Sequence, residues 1–202
     1  MGATWHFENR QFRIRKAVVG TLENNVYLVT CRQTGASVIV DAADDATAVV
    51  DLAAGTDPLA ILTTHGHADH VGAARDVANR LGIPIRLHPA DWEICPIEVD
   101  EPLEAGELAI GEAVVQIIHT PGHTPGSTVI VTTGAVLTGD TLFPGGPGAT
   151  RFRYSDFDQI MDSLERRIFA LPDDTIVMPG HGRDTTIGIE RPALPEWRAR
   201  RW

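Results

Sequence analysis

The stretch Leu59-Ala60-Ile61-Leu62-Thr63-Thr64 runs straight into His65-Gly66-His67-Ala68-Asp69-His70. An apolar run of this length reads as a strand, and it delivers three imidazoles and one carboxylate within six residues. Packing has no use for such density, whereas imidazole and carboxylate at this spacing suit zinc, iron or manganese. The residues from about 69 to 81 read as a helix stopped by Gly82. In the extended backbone before it, His65 and His67 project to the same side, while the first helical turn presents Asp69 and His70 toward a neighbouring point. The spacing therefore predicts two adjacent metal positions on a strand-to-helix loop.

Working outward toward the N-terminus, Phe12, Ile14 and Val18 alternate with polar residues as in a half-buried strand, and Asn24-Asn25 reads as a turn. Two further strands, Val26 to Cys31 and Ser37 to Val40, complete an antiparallel meander that ends at Asp41. Asp44 or Asp45 caps a short helix over Ala46 to Ala54. Toward the C-terminus, Ile83 to His88 reads as a strand with a helical piece around Asp91 to Ile94. Segments at 108–110, 114–119, 128–131 and 136–138 read as a second antiparallel sheet. Phe157 to Leu171 has helical apolar spacing with Ser155 or Asp156 as cap, and the last strand, Thr175 to Met178, precedes Pro179-Gly180-His181-Gly182. Strands and helices in both halves fit a sheet-on-sheet core flanked by helices, in one domain over residues 1–202.

Three more polar residues each follow an apolar strand and sit beside glycine: His123 in Thr120-Pro121-Gly122-His123-Thr124-Pro125-Gly126-Ser127, Asp140 in Gly139-Asp140-Thr141-Leu142-Phe143, and His181. Strand ends on one rim of a sandwich converge on a single cleft. In this order, the four motifs resemble the metallo-β-lactamase superfamily across nearly the whole chain. Gly139 to Phe143 with the glycine-rich loop behind it, and Leu171-Pro172-Asp173-Asp174-Thr175 before the last histidine, are most similar to the glyoxalase II-like hydrolases. The chain stops about 20 residues past His181, so it resembles a short form without the C-terminal helical extension that supplies much of the glutathione site.

The resemblance implies an αββα sandwich, an α/β fold of two mixed sheets flanked by helices, with the site at one sheet edge. It places His65, His67 and His123 on one metal, Asp69, His70 and His181 on a second, and Asp140 between them, with Asp41 supporting the site from behind. Two divalent ions about 3.5–4 Å apart share a hydroxide and polarise a carbonyl, with no nucleophilic side chain. Asp140 then bridges and Asp69 orients the hydroxide. Zinc is favoured, with iron or manganese as alternatives. The implied activity is hydrolysis of a small acyl-thioester, S-lactoyl-thiol-like, or a related ester. Arg151 or Arg153, in the loop after Asp140, is placed to meet a substrate carboxylate. His6, His88 and His119 match no ligand position; His119 reads as structural.

Composition removes other classes. A formal charge of −10, from 27 acids against 17 bases, disfavours nucleic acid and anionic membranes. No run of 18 apolar residues and no basic-then-apolar leader occurs, so the expected location is the cytoplasm. Cys31 and Cys95 form no paired motif, and Cys31 reads as core. The competing enzyme readings are a mononuclear-iron persulfide dioxygenase using positions 65, 123 and 140, whose characteristic loop after the aspartate is absent here, and a lactonase or phosphodiesterase with the same metal set. A metal-free binding scaffold is disfavoured because every ligand position is filled. Trp197 and Trp202 could dock on the domain or on another subunit.

Overall fold

The computed structural model describes residues 5–201. Among them, the first sheet pairs β1 (Phe7–Glu8), β2 (Phe12–Val19), β3 (Asn24–Cys31), β4 (Ala36–Val40), β5 (Asp57–Leu62), β6 (Ile85–Leu87) and β7 (Glu101–Pro102) in sequence order. It is antiparallel up to β4 and parallel beyond. The second sheet begins with the antiparallel β8 (Gly106–Ile110), β9 (Ala113–His119), β10 (Thr128–Thr132) and β11 (Ala135–Gly139). After a small hairpin of β12 (Leu142–Phe143) and β13 (Gly146–Pro147), β14 (Ile176–Pro179) joins parallel to β11, and β15 (Thr185–Thr186) closes the edge. Helices α1 (Ala46–Ala53), α2 (Ala68–Val71) and α3 (Ala74–Leu81) belong to the first half, and α4 (Phe157–Ser163), α5 (Ile187–Glu190) and α6 (Leu194–Arg200) to the second.

Strand periodicity builds the layers. Val29 and Val38 face the inter-sheet core with Ile130 and Leu137, while their neighbours Leu28 and Ile39 pack outward with Val49 and Val77 of α1 and α3. On the opposite face, Val129 and Val136 meet Ile160 and Met161 of α4. Both faces of each central strand are covered, so these strands read as continuous apolar runs rather than as alternating ones. The outcome is the expected αββα sandwich of two mixed sheets.

Three local expectations are corrected. Asn24-Asn25 is no turn: the chain reverses over residues 20–23, with Gly20 and Glu23 at positive φ, and both asparagines are buried at the start of β3. There the Asn25 amide donates to the carbonyls of Pro179 and Gly182. The helix over 69–81 is interrupted after α2, because the Ala73 N–H turns to the carbonyls of Ala42 and Ala43. The helix from Phe157, capped by Asp156, widens into a π-turn at Leu164–Ile168.

The tail docks on its own fold. Trp197 is 2% exposed among Val129, Ile160 and Leu164, with Phe169 at 6.2 Å between ring centroids, while Trp202 lies outside the described residues. Trp197→Ala is expected to cost about 3–5 kcal/mol, the range for emptying a buried aromatic site. Urea unfolding measures it; a loss below ~1 kcal/mol would mean the tail contributes little to the core. Cys31 is buried in the inter-sheet core, as expected. No helix among the described residues is long and apolar enough to cross a membrane.

Candidate metal centre

Each of the seven side chains rides on the end of a strand or the first turn after it. β5 continues through the buried Thr63-Thr64 to His65 and His67, α2 presents Asp69 and His70, the loop from β9 brings His123, β11 ends at Asp140, and β14 leads to His181. All lie at one rim of the sandwich, and five of them line a cleft of about 380 Å³.

Two triads form. The Nε2 of His65 lies 3.0 Å from Nδ1 of His67, which is 3.1 Å from Nε2 of His123. The Nε2 atoms of His70 and His181 are 3.3 Å apart, with Oδ2 of Asp69 at 3.6 and 3.3 Å from them. Asp140 stands between: Oδ2 is 3.7 Å from Nε2 of His123, while Oδ1 is 3.4 Å from His70 and 3.8 Å from His181. Within each of the sets His65/His67/His123, His65/His70/Asp140 and Asp69/His70/His181, one ligand atom per residue falls within 4.8 Å of the others.

The outward nitrogens are held one by one. His123 Nδ1 donates to the Ala149 carbonyl at 2.8 Å and His181 Nδ1 to the Leu22 carbonyl at 3.0 Å. His70 Nδ1 donates to Oδ2 of Asp41 at 2.9 Å. The Thr64 hydroxyl spends its proton on Asp41 and so accepts from His65 Nδ1 at 3.1 Å. His67 Nε2 meets the Tyr154 hydroxyl at 2.7 Å. Such outer partners set the tautomer and orientation of ligating imidazoles. With their single N–H groups turned outward, the inward nitrogens of neutral His65 and His123 are lone pairs that face His67 across about a hydrogen-bond length. Oδ1 of Asp140 is buried with no hydrogen-bond partner. A donor set with crowded lone pairs and an orphaned carboxylate oxygen fits divalent cations.

Electrostatics separate the triads. Burial, with repulsion from neighbouring histidines, pushes His65 well down and His67 to about 4, and burial likewise lowers His123. At His70 burial acts in the same direction, but the carboxylates of Asp140 and Asp41 outweigh it and raise the pKa well above the usual value. The hydrogen bond to Asp69 raises His181 and, reciprocally, holds the Asp69 carboxyl below the usual carboxylate range. Asp140 also stays ionised, because His70 and its fellow histidines outweigh the cost of burial.

Asp41 sits behind the site, 2% exposed and at φ 57°, a left-handed backbone that aspartate tolerates better than most residues. Besides His70 it accepts from the N–H and hydroxyl of Thr64, both at 2.7 Å. Arg151 is exposed and lines the cleft mouth beside Phe152, whereas Arg153 is exposed and absent from the cleft wall. His119 is structural: it stacks on His88 at 4.1 Å and donates to the Pro125 carbonyl. Sequence reading missed Asn24, whose amide donates to Asp69, together with Tyr154 and the buried Asp91. Only the unusual Asn pair heading an apolar strand could have signalled the first; a lone tyrosine or aspartate in a loop carries no signal.

The arrangement has relatives. The metallo-beta-lactamase superfamily model matches residues 19–181. A structure described as the BLEG-1 B3 metallo-beta-lactamase superposes with a TM-score of 0.83 at 30% identity, covering 91% of this chain and 98% of that one. TTHA1623, solved in a di-iron-bound form, superposes at 0.78 with 34% identity over 88% and 96% of the two chains. The hydroxyacylglutathione hydrolase GloC of Haemophilus influenzae is 35% identical over 67% of this chain and 74% of its own. With the family pattern matched from β2 to the last site histidine and the site on the sandwich rim, the chain belongs to the metallo-beta-lactamase superfamily.

Proposed function

We propose that this chain is a metal-dependent hydrolase of a small acyl-thioester, S-lactoyl-thiol-like, or a related ester, acting as one domain with two divalent cations, zinc by preference. The observation that carries the reading is the pair of triads joined by the two oxygens of Asp140. Similarity to a hydroxyacylglutathione hydrolase supports the substrate class, and similarity to a protein with a di-iron form supports two cations. His65, His67 and His123 would hold one cation, Asp69, His70 and His181 the other, with Asp140 shared. When bound, the cations supply Lewis acidity, lowering the pKa of water toward neutrality and drawing charge from an acyl oxygen.

The chain's own groups do the rest. Neither cysteine lines the cleft, so the attacking group is water. Asp69, ionised and aligned by Asn24, accepts a hydrogen bond from that water and fixes its direction. Because both carboxyls are held ionised, neither is a ready proton donor to the departing atom, which favours leaving groups stable as anions, thiolates before amines. Leu22, Phe143 and Phe152 line the cleft with apolar surface, and Arg151 offers a cation to a substrate carboxylate.

A panel of acyl-thiols, lactones and phosphodiesters, assayed with metal-replete protein beside a metal count per chain, tests the reading. Preference for phosphodiesters, or one iron with persulfide and oxygen consumed, would overturn it. Arg151→Ala should raise KM about tenfold for thioesters bearing a carboxylate, the loss of one charge-assisted contact, and leave neutral thioesters unchanged; equal effects on both would remove the residue from substrate binding.

Acidification separates the triads. Protons compete with cations for imidazole nitrogen. His70 and His181, raised above the ordinary 6.5, take protons at higher pH than His67, which resists until about pH 4. Metal content measured between pH 7 and 4 should fall in two steps, the Asp69/His70/His181 cation leaving first. Loss in a single step would contradict this.

A further inference from the structure

Asp91 is the buried acid that the reaction does not use. It closes the short 3-10 turn Pro89–Asp91 after β6 and is 0% exposed. No arginine, lysine or histidine pairs with it among the described residues; its carboxylate is held instead by three donors from two other loops. Oδ2 accepts from the Gly66 N–H at 2.9 Å and from the Thr124 hydroxyl at 2.6 Å, and Oδ1 from the Gly126 N–H at 2.5 Å. Gly66 separates His65 from His67, and Thr124 follows His123 directly. Backbone packing is as close as the hydrogen bonding: a Cβ on Gly66 would lie 2.9 Å from the Asp91 carbonyl oxygen, and one on Gly126 would lie 2.7 Å from its carboxyl carbon. Two loops that share no strand are thus drawn onto one carboxylate, which a hydrogen-bonded anion does more tightly than a neutral acceptor.

The tie is one-sided. His70 is fixed by Asp41, His181 by the Leu22 carbonyl and Asp69 by Asn24, with no bond to Asp91. We infer that Asp91 is the positioning residue of the His65/His67/His123 triad alone, setting the distance between the loop of the first two histidines and the loop of the third. The inference rests on the proposed metal centre for its consequence, selective cation affinity, but its geometric content holds for the metal-free protein.

Asp91→Asn keeps the shape and replaces one acceptor oxygen by an amide, so the N–H of Gly66 or of Gly126 loses its acceptor and the tie between the loops is weakened. Titration with zinc or cobalt should show one of two cations bound about 10–100-fold more weakly, the usual effect of losing an outer-shell partner, and the other within about twofold of wild type. In metal-free protein, the imidazole NMR signals of His65, His67 and His123 should move while those of His70 and His181 stay; Asp41→Asn should instead move His70, and His65 through Thr64, and leave His67 and His123 in place. Equal weakening of both cations, unchanged binding, or movement of all five rings alike would overturn the inference, since a merely structural aspartate loosens both triads or neither. Should Asp91→Asn fail to fold, Thr124→Val removes one donor and leaves the carboxylate; it should weaken the same cation about tenfold, with Thr124→Ser restoring it. If wild-type protein takes up no cation, the metal reading falls, and the ring signals still decide the role of Asp91.

Discussion

Asp140→Ala is expected to strip the protein of both cations and to lower thioester turnover at least about a thousandfold. The side chain is the one group whose two oxygens face different triads, Oδ2 toward His123 and Oδ1 toward His70 and His181. Losing it removes at once the single negative charge that the two halves share. A thousandfold is about 4 kcal/mol of transition-state stabilisation, modest beside what two bound cations would supply by lowering a water pKa and polarising a carbonyl. The metal-free variant should nonetheless fold, because Asp140 lies just past the end of β11 and outside the apolar clusters that form the core. Metal analysis, circular dichroism and a turnover assay are read together. Retention of two cations with near-normal turnover would show that Asp140 does not join the triads.

Removing the metals from unaltered protein should act on stability as well as on activity. On the proposed reading the cations bind only the folded chain, and a site occupied at about a thousand times its Kd adds about 4 kcal/mol to folding. For a domain of this size each kcal/mol moves Tm by about 2–4 °C, so a chelator should lower Tm by about 10 °C and abolish turnover. Zinc or iron should restore both. The gap has a local source: without cations, the lone pairs of His65 and His123 face His67 and Oδ1 of Asp140 is buried without a hydrogen-bond partner, and these costs are offset only in part by protonation at His70 and His181. An unchanged Tm with lost activity would mean the triads are formed without metal at no cost, and would argue against strong binding.

The seven residues that meet at the rim were legible because they sit in short motifs at the ends of apolar runs, five of them beside glycine and Asp69-His70 two residues after His67. The layers were legible because alternating residues such as Leu28 and Val29, or Val136 and Leu137, serve opposite faces of one strand. What escaped has the opposite character. Asn24 and Asn25 carry turn propensity, yet their amides are spent on Asp69 and on the chain around Pro179. Ala73 has good helix propensity, yet its N–H is taken by the Ala42 and Ala43 carbonyls and the helix breaks. In each case a contact from a distant segment outbid the local preference.

By itself, the sequence determined the candidate ligand types, their grouping into strand-end motifs and the sandwich that brings strand ends to one rim, since those follow from short-range periodicity and donor chemistry. Only the tertiary structure decided which nitrogen of each imidazole faces inward, that Arg151 and not Arg153 reaches the cleft, and that Asp91 ties the His65/His67 loop to the His123 loop. Most of these depend on groups 23 to 159 residues apart meeting in space, and no local pattern encodes an encounter at that range.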